Sequence, residues 1–139
     1  MRILIVLIFT MLFLGCKSQK YQLENNPKIS LKEGTFKETP PAIIDEKGSV
    51  SVTLKLNKFN KEEIELIGFY FRNHYFSVDN MIEPYTVRGG FTVGDKNSEE
   101  KIPFEIISSE VVIAYKTNKK LKHAKFPLKR IESFDNIPR

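Results

Sequence analysis

A strict alternation of apolar and polar side chains between Val50 and Leu56 is the feature that most constrains the fold. In the run Val-Ser-Val-Thr-Leu-Lys-Leu, every second side chain is apolar. Successive side chains of a β-strand point to opposite faces, so this pattern predicts a strand with one buried and one solvated face. A helix repeats every 3.6 residues and would scatter the same apolar side chains around its circumference.

Further short segments of extended character follow this strand along the chain. Val111–Tyr115 is apolar at every position, which is typical of a central strand buried on both faces. Gly89-Gly90 predicts a two-residue hairpin turn, and Pro103 suggests an edge position for its strand. The predicted strands are 50–56, 63–72, 75–78, 85–88, 91–93, 102–106, 111–115 and 121–131. This pattern predicts an Ig-like two-sheet antiparallel β-sandwich of about seven strands, with a small β-barrel as the alternative.

The first sixteen residues differ from the rest of the chain. Met1-Arg2 provides a positive start, and the stretch from Ile3 to Leu14 is apolar apart from Thr10. Gly15 and Cys16 follow, after which the chain becomes polar. A charged start, a short apolar stretch and a small residue are typical of a secretory signal peptide, and a spanning helix needs about 20 apolar residues.

The end of this segment, Leu12-Phe13-Leu14-Gly15-Cys16, resembles the lipobox of bacterial lipoproteins. The resemblance implies that the thiol of Cys16 carries a diacylglyceryl group and that cleavage occurs between Gly15 and Cys16. It also implies that the new amine is acylated. Cys16 is the single cysteine of the sequence, and lipidation would use its thiol.

The domain organisation follows from these segments. We predict a signal peptide over 1–15, the lipidated Cys and a flexible tether over 16–47, and the β-sandwich domain over 48–139. The tether prediction rests on the polar, aperiodic run from Lys17 to Lys28 and on the extended Pro40-Pro41 pair.

Motifs that carry chemistry are sparse in this chain. There is no Gly-x-Ser-x-Gly motif, and the two histidines, His74 and His123, lie 49 positions apart in the sequence, which is not a metal-ligand spacing. We therefore predict no catalytic residues, no metal ligands and no cofactor. The aromatic side chains between Phe69 and Tyr85 pack in the core or form a ligand platform, and the sequence leaves both readings open.

A basic stretch lies between Lys116 and Arg130, with seven positive charges and no acidic residue. Anionic lipid headgroups or acidic envelope glycans suit an exported protein better than nucleic acid, which we do not expect as a partner. The alternative is a solvated lysine-rich edge strand that discourages aggregation. The candidate anion-binding residues are Lys119, Lys120, Lys122, Lys125, Lys129 and Arg130.

Together these features predict a lipid-anchored, non-catalytic β-domain of the cell envelope that binds a protein or envelope component. Two alternatives stay open: a small envelope hydrolase whose site assembles only in the fold, and an inhibitor of a cell-wall-degrading enzyme. The run Lys17–Lys20 lacks acidic residues, and by analogy with lipoprotein sorting this favours the outer membrane, facing the periplasm.

Overall fold

The computed structural model describes residues 22–78, 85–94 and 102–132, so the predicted leader and its lipobox lie outside the described residues. Within this part of the chain there are eight β-strands and no helix. The strands are β1 (Leu31–Thr39), β2 (Ser49–Leu56), β3 (Ile64–Phe71), β4 (His74–Ser77), β5 (Thr86–Thr92), β6 (Glu110–Thr117), β7 (Lys120–Pro127) and β8 (Lys129–Ile131).

The strands form two four-stranded sheets, in the orders β5-β2-β1-β8 and β4-β3-β6-β7. Every pairing is antiparallel except that of β1 with β8, which is parallel. In Ig domains, strands A, B and E share one sheet, and strands C, F and G form the other. The strands of this chain divide in the same way: the first sheet contains β1, β2 and β5, and the second contains β3, β6 and β7. The prediction of an Ig-like sandwich is confirmed, and the barrel alternative is wrong because the described strands form two separate sheets.

The alternating segment from Val50 to Leu56 forms a strand with one buried face, as predicted. Four side chains of β2 are at most 4% exposed and face the second sheet, while Ser51 and Lys55 are exposed and Thr53 is half-buried. The four buried side chains are Val50, Val52, Leu54 and Leu56.

A bulge in β3 changes which side chains of the strand predicted over 63–72 face the core. Uninterrupted alternation placed Ile64 and Leu66 on the face opposite to Phe69 and Phe71. The pairing of β3 with β6 shifts between Leu66 and Gly68, and all four apolar side chains are buried in the same core. One extra residue on one strand reverses the alternation, and the sequence pattern carried no sign of it.

The hairpin predicted at Gly89-Gly90 is wrong, because β5 runs straight through both glycines. Neither has the positive φ that the central residues of such a turn require. A Cβ atom on Gly89 would lie 2.8 Å from the ring of Phe69 and 2.9 Å from that of Phe76. Glycine is needed there so that aromatic rings of the opposite sheet can approach the backbone closely.

The strand predicted over 102–106 is also wrong, since this segment pairs with none of the described strands. Its side chains still alternate in burial, because the segment lies across a sheet face: Pro103 and Glu105 are exposed and their apolar neighbours are half-buried. Phe104 packs against Tyr70 and His123, with ring centroids 5.4 and 4.8 Å away. The segment therefore covers the outer face of the second sheet.

The last predicted strand, 121–131, is divided between the two sheets. β7 is the edge of the second sheet, the chain bends at Leu128, and β8 then joins the edge of the first. Leu128 is 8% exposed, its amide donates to the carbonyl of Ser109 at 2.7 Å, and its side chain contacts the backbone of Gly34. Because one strand switches sheets, the basic stretch is spread over two of them.

The predicted tether and domain start need correction. β1 lies inside the first sheet between β2 and β8, so the folded part begins well before residue 48. Ile29 is 2% exposed, and Leu23 forms a parallel bridge with His123. The sequence pattern missed β1 because its apolar side chains are few. Residues 40–48 connect β1 to β2 and are largely exposed.

Replacing Ile29 by Ala tests whether this early segment belongs to the fold. We expect a loss of about 2–5 kcal/mol in the free energy of unfolding, since the change leaves a cavity in the core. Ile44→Ala is the matched control, because Ile44 is 98% exposed and should change stability by less than about 0.5 kcal/mol. Urea unfolding of both variants checks this, and equal midpoints would contradict the assignment of Ile29 to the core.

Candidate functional site

The six predicted anion-binding residues do not form one face. Lys119 lies in the β6–β7 turn, where it and Asn118 both have positive φ. Lys120, Lys122 and Lys125 lie on β7, while Lys129 and Arg130 lie on β8 in the other sheet.

Three of these six residues are paired with carboxylates. The nitrogen–oxygen distances are 3.1 Å for Lys122–Glu24, 3.9 Å for Lys125–Glu110 and 3.4 Å for Arg130–Glu38. The other three, Lys119, Lys120 and Lys129, form no ion pair with any residue that the structure describes. The contiguous basic stretch is therefore not a single anion site.

Lysines from three distant parts of the sequence meet at one end of the sandwich. We call this the lysine end and define it by segments 28–33, 55–65 and 116–120, where β1 and β7 begin and β2 and β6 end. These segments contain eight lysines, four glutamates and no aspartate. The opposite segments, 37–49, 71–75, 91–94, 105–110 and 125–132, form the far end and contain six basic and six acidic side chains.

The excess charge of the lysine end lies outside its cleft. An open cleft of about 620 Å³ is lined by three lysines and three glutamates, namely Lys61, Lys116, Lys119, Glu62, Glu63 and Glu65. Lys55 lies 3.4 Å from Glu33. The remaining lysines, Lys28, Lys32, Lys58 and Lys120, are exposed and carry the net positive charge. Sequence reasoning missed this cluster because strand pairing, rather than chain proximity, brings these lysines together.

At the far end, Glu38 holds two arginines together. Its Oε1 accepts from Nη2 of Arg72 at 2.6 Å, and its Oε2 lies 3.4 Å from Nη2 of Arg130. The hydrogen bond from Arg72, with the positive charge of both arginines, holds the pKa of Glu38 below its ordinary value. The guanidinium of Arg72 also lies 5.3 Å from the ring centre of Phe36 and 5.1 Å from that of Phe71, so the network closes the end of the core.

A cleft of about 490 Å³ opens beside this network. Its walls combine both charge signs with apolar groups, including Pro40, Pro41 and Val93. Val93 is 50% exposed, and in the adjoining β1–β2 connection Ile43 is 61% exposed and Ile44 98%. The sequence held a sign of this surface in the Pro-Pro and Ile-Ile pairs, but both fell in the segment predicted to be a tether.

The aromatic cluster divides between the two faces of the second sheet. Phe69 and Phe71 are buried between the sheets, and Phe76 packs partly buried against the same core. Tyr70 and Tyr75 lie on the outer face, with ring centroids 4.8 Å apart. None of these five side chains is exposed, so packing uses the aromatic cluster that the sequence left open as a ligand platform.

Both histidines take part in ring packing. His74 stacks on Phe91 with ring centroids 3.8 Å apart, which joins β4 of one sheet to β5 of the other. His123 is 1% exposed and packs beneath Phe104, and burial lowers the pKa of its imidazole below the ordinary value. Among the described residues, no group of three His, Cys, Asp or Glu side chains is placed to hold a metal ion.

The fold and its two ends define an Ig-like sandwich with a lysine-rich end and a mixed-charge cleft at the far end. Comparisons with known protein families, with curated proteins and with solved structures found no match to this chain. In the part of the chain that the structure describes, no helix is long and apolar enough to cross a membrane.

Acid titration tests the Glu38 network. The pKa of Glu38 in the folded protein lies below its ordinary value of 4.5, so the unfolded chain takes up this proton first as the pH falls. The stabilisation is therefore complete above about pH 5 and lost as the pH falls through the lowered pKa. We expect Glu38→Gln to reduce stability at neutral pH and to flatten the acid limb of the stability curve.

Glu33→Gln is the matched control for this titration, because Glu33 pairs with a lysine on the exposed surface and has 57% of its side chain exposed. Thermal unfolding from neutral to acid pH provides the measurement. An acid limb of the same slope in wild type and Glu38→Gln would show that Glu38 does not carry this pH dependence.

Proposed function

We propose that the chain is a lipid-anchored, non-catalytic module of the bacterial cell envelope that binds a protein or other envelope component. In this proposal Cys16 carries the lipid and the far-end cleft receives the partner. The outer membrane, facing the periplasm, is the location that we favour, because the residues after Cys16 lack acidic side chains.

The observation that carries the binding proposal is the concentration of exposed apolar side chains beside the far-end cleft. Of the six large hydrophobic side chains that are exposed among the described residues, Val93 lines this cleft. Ile43 and Ile44 lie in the 40–48 connection, both ends of which line the cleft. Exposed apolar groups bordered by charges are typical of protein interaction sites. Arg72 and Arg130 provide charged groups that can orient a partner, and Glu38 holds both in place.

The non-catalytic part of the proposal rests on how the titratable groups are used. The pKa of Glu38 is lowered by ion pairing, while burial lowers that of His123 and raises that of Tyr115. Each shift has a packing or ion-pair cause. His74 stacks between the sheets instead of facing the far-end cleft.

Metabolic labelling with palmitate in a bacterial host tests the anchor. Wild type should incorporate the label and Cys16→Ser should not, because the single thiol of the chain is lost. Ser18→Ala provides a control that leaves the thiol in place. Equal labelling of wild type and Cys16→Ser would contradict the anchor.

Capture from envelope extracts tests the partner site. We expect Val93→Glu to reduce recovery of a co-purifying component about tenfold, because the new carboxylate stands among the apolar groups of the cleft. Ile107→Glu is the matched control, since Ile107 is 64% exposed and does not line the cleft. Equal recovery with both variants would place the binding surface elsewhere.

A further inference from the structure

We infer that the lysine end of the sandwich rests on an anionic lipid surface, so that the far-end cleft points away from the membrane. This inference rests on the proposed anchor at Cys16. It adds an orientation and a second membrane contact, which lipidation alone does not require.

The chain between the proposed anchor and the fold is short. Leu23 already bridges His123 of β7, and the amide of Glu24 donates to the carbonyl of His123 at 2.8 Å. The side chain of Glu24 pairs with Lys122. Six residues separate Cys16 from Leu23, and seven residue steps span at most about 25 Å even when fully extended. A strand of eight residues is about as long, so the link keeps Leu23 within about one strand length of the membrane.

The described chain enters the fold from the side of the lysine end. The bridge of Leu23 to His123 is parallel, so Gln22 lies toward the beginning of β7. That is the side of the β6–β7 turn, which belongs to the lysine end. From His123 to this turn is about 13 Å along the strand, well within the reach of the link.

The two ends of the sandwich differ in charge. The lysine end has four more lysines than glutamates, whereas the far end has equal numbers of basic and acidic side chains. The surface of an anionic membrane attracts each lysine within a Debye length and favours the positive end. Leu121, which follows Lys120 on β7, is 41% exposed and provides an apolar side chain at the same place.

The experiment uses residues 17–139, which omit Cys16 and retain every described residue, so that binding reports the protein surface without the lipid. Vesicles contain equal parts of phosphatidylglycerol and phosphatidylcholine, and co-sedimentation at low salt measures the partition coefficient. Each lysine near such a surface contributes about a fivefold factor. Lys58→Gln with Lys120→Gln should therefore weaken binding by about 25-fold, and raising the salt toward 1 M should abolish the binding of wild type.

Lys47→Gln with Lys129→Gln is the matched control, because it removes the same charge from residues outside the lysine end. Binding within about twofold of wild type for this control, together with the large loss at the lysine end, supports the orientation. An equal loss in both pairs would indicate attraction by net charge only and would overturn it. Absence of binding by wild type at low salt would also overturn it, while palmitate labelling of the full chain reports the anchor separately.

Discussion

Burial of β6 on both faces is the constraint on which the rest of the structure depends. Val111, Ile113 and Tyr115 face the core between the sheets, while Val112 and Ala114 face outward and are still at most 2% exposed. An Ig-like sandwich normally leaves the outer faces of its sheets to solvent, so this strand needs a cover. The packing of the 102–106 segment over the second sheet, and of Leu23 along β7, follows from that need.

The same packing brings the N-terminal part of the chain into the fold. Ile29 enters the core and β1 follows directly as an inner strand of the first sheet. A segment that looked like a loose tether is thereby fixed on both sides of Pro27. If Cys16 carries the lipid as proposed, six residues rather than about thirty separate it from the fold, and a link this short restrains the domain instead of spacing it from the membrane.

The two ends of the sandwich differ in charge and in shape, and this difference organises the functional proposals. At the far end, Glu38 neutralises part of the charge of Arg72 and Arg130 and leaves a cleft bordered by exposed apolar groups. At the lysine end, the positive charge is in excess. Since the chain enters from the lysine end, a membrane contact there and a partner contact at the far end are compatible in one molecule.

The sequence by itself determined the class of fold, because the period of two in β2 and the all-apolar run in β6 admit only strands packed in layers. It also singled out Cys16 as the proposed anchor, since this is the one cysteine of the chain and it follows an apolar stretch that is typical of a signal peptide. Only the tertiary structure decided the bulge in β3, the straight passage of β5 through Gly89 and the switch of sheets at Leu128. Each depends on side chains of the opposite sheet or a partner strand. The two ends also depend on tertiary structure: Lys61 and Lys119 line one cleft, and Glu38 of the first sheet pairs with Arg72 beside the second. Local pattern carries no information about such distant neighbours.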